Sequence, residues 1–262
     1  MCLISLAWRV HDDWPLLVAA NRDEFFARPT EAAHRWSTPK GLVAGRDAQA
    51  GGTWLGLRQF PQENAEFSGR WAALTNVRRL PAPRKNGPSR GQLVLVALAE
   101  ARPLLEILEE LAATAEDYEG FNLLAGDRQG LYYLNNQQPR VQTLDPGVYG
   151  LSNATLDVPW PKVGSACEAM GGFLQKPGSV TDLAQLLSNP SPAPDHELPA
   201  TGLSPEWERA LSAQFIQLPE YGTRACTGLM VGRDGIARFH EQTFAAAGEM
   251  TGEQSFSLQH FW

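Results

Sequence analysis

The first ten residues are almost continuously apolar, interrupted only at Ser5 and Arg9. Cys2, Ile4, Leu6 and Trp8 fall on one side and Leu3, Ser5 and Ala7 on the other, so Leu3 to Val10 is predicted as a strand with both faces covered. Trp14 and Pro15 lie in the turn to a second apolar run, Leu16 to Ala20, which leads straight into Asn21, Arg22, Asp23 and Glu24. From Phe25 to Lys40 the chain has no clean period and contains Pro29 and Pro39, which predicts a long ordered loop of the kind that often carries function. A strand near Leu42 to Gly45, the Gly51 to Leu57 stretch and a strand from Trp71 to Val77 complete a first group.

Leu80 to Pro88, rich in proline and basic residues, is read as a surface connection. Ser89 is placed to cap a helix from Arg90 to Glu100, and Pro103 suits the first turn of another, whose Leu104, Leu105, Ile107, Leu108 and Leu111 form a helical stripe. Phe121 to Ala125, Leu131 to Asn135, Arg140 to Leu144 and Gly147 to Leu151 are short segments split by turn signals, the pattern of a strand meander. Helices are predicted over Lys162 to Leu174, Thr181 to Leu187 and Pro205 to Phe215, interrupted by the proline-rich loop Asn189 to Pro199. Thr223 to Val231, Ile236 to Glu241 and Ser255 to Phe261 supply the last strands. This order lacks a regular βαβ alternation and predicts an α+β fold of two stacked, mainly antiparallel sheets with helices outside. No internal repeat or linker divides residues 1–262, so one domain is expected.

Composition changes the picture chiefly by exclusion. With 43% apolar and 19% charged residues the chain can bury a sizeable core, and its net charge of -7 argues against general affinity for nucleic acid or anionic membrane. A local basic cluster, Arg78, Arg79, Arg84, Lys85 and Arg90, reads as a solvated loop, or as a dock for a small anion. Cys2, Cys167 and Cys226 have no metal-type spacing and the five histidines are scattered, so neither cofactor nor metal is expected. Gly51, Gly52 and Gly56 lack the spacing of a phosphate loop. The first apolar run is too short for a signal peptide and no segment approaches the roughly 20 apolar residues of a membrane span. A cytoplasmic protein without an integral membrane segment is expected.

Candidate chemistry begins at Cys2. Removal of Met1 would leave one residue with both a thiol and a free amine, which titrate near ~8.5 and ~8 and can exchange a proton near neutral pH. The same cysteine also fits the start of a buried strand, since free Cys most often behaves as a small hydrophobe. Asn21 and Asp23 suit a polar turn, which gives no reason for Arg22.

The motifs NRDE (Asn21 to Glu24), MCLI at the start, GGTWLG (Gly51 to Gly56), ALTN (Ala73 to Asn76), GLSNA (Gly150 to Ala154) and YGTR (Tyr221 to Arg224) together resemble the NRDE family, also called the transport and Golgi organisation protein 2 family. That family is in turn similar to N-terminal-nucleophile hydrolases of the penicillin V acylase and bile salt hydrolase kind. The resemblance implies a four-layer αββα sandwich and cleavage of a small amide or acyl substrate. It implies that Cys2 attacks a carbonyl, its amine carries the proton, Arg22 lowers the thiol pKa and Asp23 orients the ammonium. Asn76 and Asn153 would stabilise the oxyanion and Arg224 would add a second cation; Glu24 has no clear counterpart. As strand-end, turn and ion-pairing residues, Asn153, Asn76 and Arg224 also have plain structural accounts, Arg224 as a partner of Glu220 or Asp23. The family has been connected with haem trafficking and lipid homeostasis, which implies an alternative: a non-catalytic protein holding an amphipathic ligand in the same cleft, walled by Trp8, Trp36, Trp54 and Trp71.

Overall fold

The computed structural model describes residues 2–61, 69–78 and 87–262. Met1, Arg79, Arg84, Lys85 and nearly all of the Leu80 to Pro88 connection fall outside the described residues. The first sheet has six strands in the order β10 (Gly147–Leu151), β1 (Cys2–Trp8), β2 (Leu16–Phe25), β11 (Tyr221–Val231), β12 (Ala237–Phe244) and β13 (Met250–Leu258). The second has seven: β3 (Thr30–Arg35), β4 (Leu42–Asp47), β5 (Leu55–Gln59), β6 (Gly69–Asn76), β7 (Phe121–Asp127), β8 (Leu131–Asn135) and β9 (Gln142–Thr143). Every pairing in both sheets is antiparallel.

Alternation along the strands decides which layer each side chain joins. Ile4, Leu6, Trp8, Leu16, Val18 and Ala20 of the first sheet meet Val43, Leu57, Trp71, Ala73 and Leu124 of the second in the core between the sheets. The opposite faces are covered by helices. Leu3, Ala7, Leu17 and Ala19 pack on α3 (Pro161–Gln175) and α4 (Val180–Ala184). Leu42, Ala72, Leu123 and Leu134 pack on α1 (Gly91–Ala99) and α2 (Leu104–Ala113). The result is the four-layer αββα sandwich that the element order and motifs led one to expect.

Four local differences from the sequence reading have physical causes. β2 does not stop at Ala20 but runs to Phe25, because β11 pairs with it along its whole length, from Leu16↔Val231 to Phe25↔Tyr221. The NRDE block is therefore strand, paired with β11 throughout and with β1 at Asn21 and Arg22. Residues Thr30–Arg35, expected within a loop, form β3, paired with β4 around a register shift between Glu31 and His34 that masks the period. Ser89 does not cap α1; Arg90 occupies that position without a side-chain cap, and Pro103 precedes α2 as its N-cap residue. The last two strands extend to Phe244 and begin at Met250, further than apolar runs alone indicate.

Close approach of α4 to the first sheet depends on Gly228 of β11, where a Cβ would lie 2.4 Å from the Val180 carbonyl oxygen and 2.8 Å from the Ala184 nitrogen. These are backbone atoms and cannot rotate away. Gly228→Val is expected to lower stability by about 1–3 kcal/mol, the usual cost of overpacking, read as a fall in the denaturation midpoint. Gly164→Ala, inside α3 with nothing within 4 Å of the added Cβ, is the contrast and is expected to gain up to about 1 kcal/mol.

Candidate functional site

Because β1 and β2 pair with Cys2 opposite Arg22, the first residue of one strand and the cation of the other share the inner face at the end of the first sheet. Here the inter-sheet core gives way to a cavity of about 150 Å³. Cys2, Arg22, Asp23, Glu24 and Arg28 form its wall on one side, with Asp47, Thr53, Trp54, Leu74 and Asn76 from the second sheet and its connections, and Ser89, Arg90 and Gly91 at the start of α1. Four of the six expected site residues thus border one space.

Arg22 is buried, its guanidinium stacked 4.3 Å from the centre of the Trp54 ring and donating to the Thr30 hydroxyl at 3.2 Å. Cation–π stacking and a single hydrogen bond fix its plane beside the thiol. Asp23 accepts from the Thr223 hydroxyl at 2.8 Å. Glu24 lies 4.0 Å from Arg22 and 3.9 Å from Arg28, and Arg28 in turn grips Asp47 through Nε at 3.1 Å and Nη2 at 2.7 Å. The cavity therefore carries three arginines and three carboxylates, an environment for a small polar ligand.

Asn153 stands one step back. Its Nδ2 donates to the Asn76 carbonyl at 2.9 Å and to Asn76 Oδ1 at 3.0 Å. Asn153 itself is fully buried, so its amide protons are committed to Asn76, and with Oδ1 of Asn76 engaged, the Nδ2 group of Asn76 is the one turned elsewhere. The loop that holds Asn153 is fastened at three further points: Ser152 Oγ donates to the Cys2 carbonyl at 3.1 Å, Thr75 Oγ1 to the Ser152 carbonyl at 2.5 Å, and Arg78 N to the Asn153 carbonyl at 2.7 Å.

Arg224 does not join them. It occupies the register shift between Thr223 and Ala225, and its Nη1 donates to the carbonyls of Phe25, Phe26 and Arg28, strapping the turn after β2. Neither Glu220 nor Asp23 is its partner in these bonds. The aromatic wall is absent as well. Only Trp54 of the four tryptophans borders the cavity, while Trp8 and Trp71 lie in the inter-sheet core and Trp36 packs on the α1–α2 side.

Residues that sequence reasoning passed over complete the surroundings. Arg78 and Arg90, read as part of a solvated loop, are structural and cavity-lining: Arg78 is 6% exposed, pairs with Glu208 at 2.9 Å and lies over the Trp160 ring, and Arg90 borders the cavity while donating to the Gly120 carbonyl. Thr223 of β11 donates to Asp23, and Lys162 of α3 acts on the same carboxylate through its charge. The YGTR motif could have signalled Thr223; nothing in the pattern marked Lys162, a lysine in the first turn of an amphipathic helix.

Electrostatics at the thiol run against the simple expectation. Burial pushes the Cys2 thiol up and the Asp23 carboxylate adds to this, and Arg22, which acts in the expected lowering direction, does not outweigh them. Burial pushes Cys167 and Cys226 up too.

The sandwich, with a cysteine at the head of β1 facing an arginine and an aspartate of β2, defines a protein of the NRDE class. The family model described as Transport and Golgi organisation 2 matches residues 1–246, and the chain belongs to this family. Transport and Golgi organization protein 2 homologs from Bos taurus and Homo sapiens are 35% identical over 248 residues and 32% identical over 251, each covering 87% of this chain and 86% of the relative. The Transport and Golgi organization protein 2 of Drosophila melanogaster is 28% identical over 252 residues, 88% of this chain and 86% of its own length. No helix of the described residues is long and apolar enough to cross a membrane.

Glu241 of β12, buried behind Arg22, gives a pH test of this region. Burial raises its carboxyl from 4.5 to about 7, although it accepts from the Ala33 amide at 2.6 Å and feels Arg22. A raised folded-state pKa means stability present at low pH and lost as pH climbs from about 4.5 through 7. Glu241→Gln, which keeps the acceptor for Ala33, is expected to be more stable than wild type at pH 8, by on the order of 3 kcal/mol, and to lose that advantage toward pH 5 in paired denaturant titrations.

Proposed function

We propose that the chain is a cysteine amidohydrolase of the N-terminal-nucleophile type, active on a small polar amide or acyl substrate once Met1 is removed. The observation that carries this reading is the convergence of Cys2, Arg22, Asp23 and Asn76 on one cavity, from three strands, β1, β2 and β6, that belong to two different sheets. In the scheme, the Cys2 sulfur attacks the carbonyl carbon and its own α-amine takes the thiol proton, then returns it to the departing nitrogen. Water hydrolyses the acyl-enzyme. Arg22 steadies the thiolate, Asp23 holds the ammonium and the Asn76 amide donates to the developing oxyanion, with Asn153 and Ser152 positioning Asn76 and Cys2. Arg224 acts as a strap for the turn that carries Arg28. A raised resting thiol is compatible with this chemistry because the base is on the same residue.

The alternative is a non-catalytic protein that holds haem or lipid in the same cleft. Burial of the thiol favours it. Against it stand the charged lining and the volume of about 150 Å³, small beside the roughly 300–1,000 Å³ of ordinary ligand pockets.

Untagged protein from the cell is expected to have lost Met1 by intact mass, and to release amine from a panel of short carboxylate-bearing and neutral amides. Cys2→Ala abolishes this, and Asn76→Ala lowers kcat about 10²–10³-fold, the usual loss for one oxyanion donor. Retention of Met1 throughout, or turnover unchanged in Cys2→Ala, removes the hydrolase reading.

A further inference from the structure

On the helix side of the first sheet lies a charged group that the scheme above does not use. Lys162 is the second residue of α3 and only 3% exposed, and its Nζ has no hydrogen-bond partner among the described residues. α3 packs against β1 and β10, and its buried face is otherwise Val163, Ala166 and Met170. An unpartnered ammonium in such a layer is disfavoured by desolvation, and the positive end of the helix on which it sits disfavours it further. Burial accordingly pushes the amine down to about 8, and the charge that chiefly resists is the Asp23 carboxylate.

Asp23 connects the two sides of the sheet. Asn21 faces the helix layer, donating to the carbonyls of Leu187 at 2.8 Å and Gln214 at 2.9 Å. Alternation puts Asp23 on that same face. Yet, at the sheet end, Asp23 also borders the cavity that holds Cys2. Burial pushes its carboxyl up, and Lys162 resists this ahead of the Thr223 hydrogen bond and Arg22. The other charged groups that act on Lys162 are Arg78, beyond β6 and held by Glu208 of α5 (Pro205–Leu211), and Cys2 of β1.

We propose that Lys162 is a positioning residue of the Cys2 site, its buried ammonium acting from the helix layer to keep Asp23 charged where that carboxylate meets the cavity. The catalytic consequence rests on the hydrolase reading: a charged Asp23 holds the α-ammonium of Cys2, and removing Lys162 moves the acid limb of the Cys2-dependent rate toward neutral pH.

Carbon-13 NMR of aspartate carboxyls and lysine ε-methylenes in the full chain reads the two partners separately, with Asp23→Asn and Lys162→Arg as assignment variants. Lys162 is expected to titrate near pH 8, and Lys162→Met to raise the Asp23 midpoint by a unit or more, about tenfold in proton affinity, while Lys162→Arg keeps Asp23 ionised. By reciprocity Asp23→Asn lowers the Lys162 midpoint. An Asp23 midpoint identical in wild type and Lys162→Met overturns the proposal. Should Lys162→Met fail to fold, an unchanged Lys162 midpoint in Asp23→Asn overturns it and a lowered one supports it. The readout needs no turnover: coupling without amidase activity keeps the proposal and removes the hydrolase reading, and activity with uncoupled titrations does the reverse.

Discussion

A polar tetrad in a strand with neighbours on both sides is the constraint around which this molecule is built. Asn21 to Glu24 belong to β2, which is hydrogen-bonded to β1 on one side and β11 on the other, so their side chains can leave the sheet only through its faces. Buried polar groups need partners, and those partners come from far along the chain. Asn21 draws in the carbonyls of Leu187 and Gln214, Asp23 draws in Thr223, and Arg22 draws in Thr30 and Trp54. These contacts tie the helix layer, the neighbouring strand β11 and the second sheet with its connections to one short stretch of β2. The loop of Ser152 and Asn153 is locked against β1 and β6 for the same reason, since the Cys2 carbonyl and Asn76 need it.

Much of this was legible in the sequence, and the boundary of what was legible has a physical shape. Period-two alternation in Cys2 to Trp8, the helical stripe of Leu104 to Leu111 and the turn signals between Phe121 and Leu151 are local, and they located their elements. The continuation of β2 through Asn21 to Phe25 was not legible, because pairing with β11 overrides the low strand propensity of a charged tetrad. β3 escaped for a related reason: a register irregularity next to β4 breaks the alternation by which a half-exposed strand is read. At the site, motif order pointed to Cys2, Arg22, Asp23 and Asn76 together, but could not tell a side chain that borders the cavity from one that supports it. Asn153 and Arg224 are both tied to this region, one through Asn76 and the other through three backbone carbonyls, and only the folded arrangement separates these positions from the cavity wall. Lys162 was invisible because a lysine in a helix is nearly always solvated, and its burial follows from the seating of α3 on β1.

The same geometry explains why the cavity lies where it does. Among the described residues, Asp23, Lys162 and Glu241 are buried with ionisation disfavoured by desolvation, and Arg78 is lowered likewise. A sheet interior filled with apolar side chains would avoid these penalties, as Ile4, Leu6 and Val18 do one or two rungs away. Arg22, Asp23 and Glu24 come at the end of β2, where the apolar core gives way to an opening of about 150 Å³ that they share with Arg28 and Arg90. Thiol reactivity then depends on a balance rather than on one cation. Burial and Asp23 raise Cys2 while Arg22 lowers it, so a ligand that brings its own charge into the cavity shifts the thiol in a direction set by the sign of that charge. In the proposed site, an anionic group seated by Arg28 or Arg90 would leave the thiol protonated for longer, and a neutral amide would leave Arg22 among the charges that compensate the thiolate. In the proposed hydrolase, the charge of the substrate and the protonation of Cys2 would thereby be linked through the arginines that border the opening.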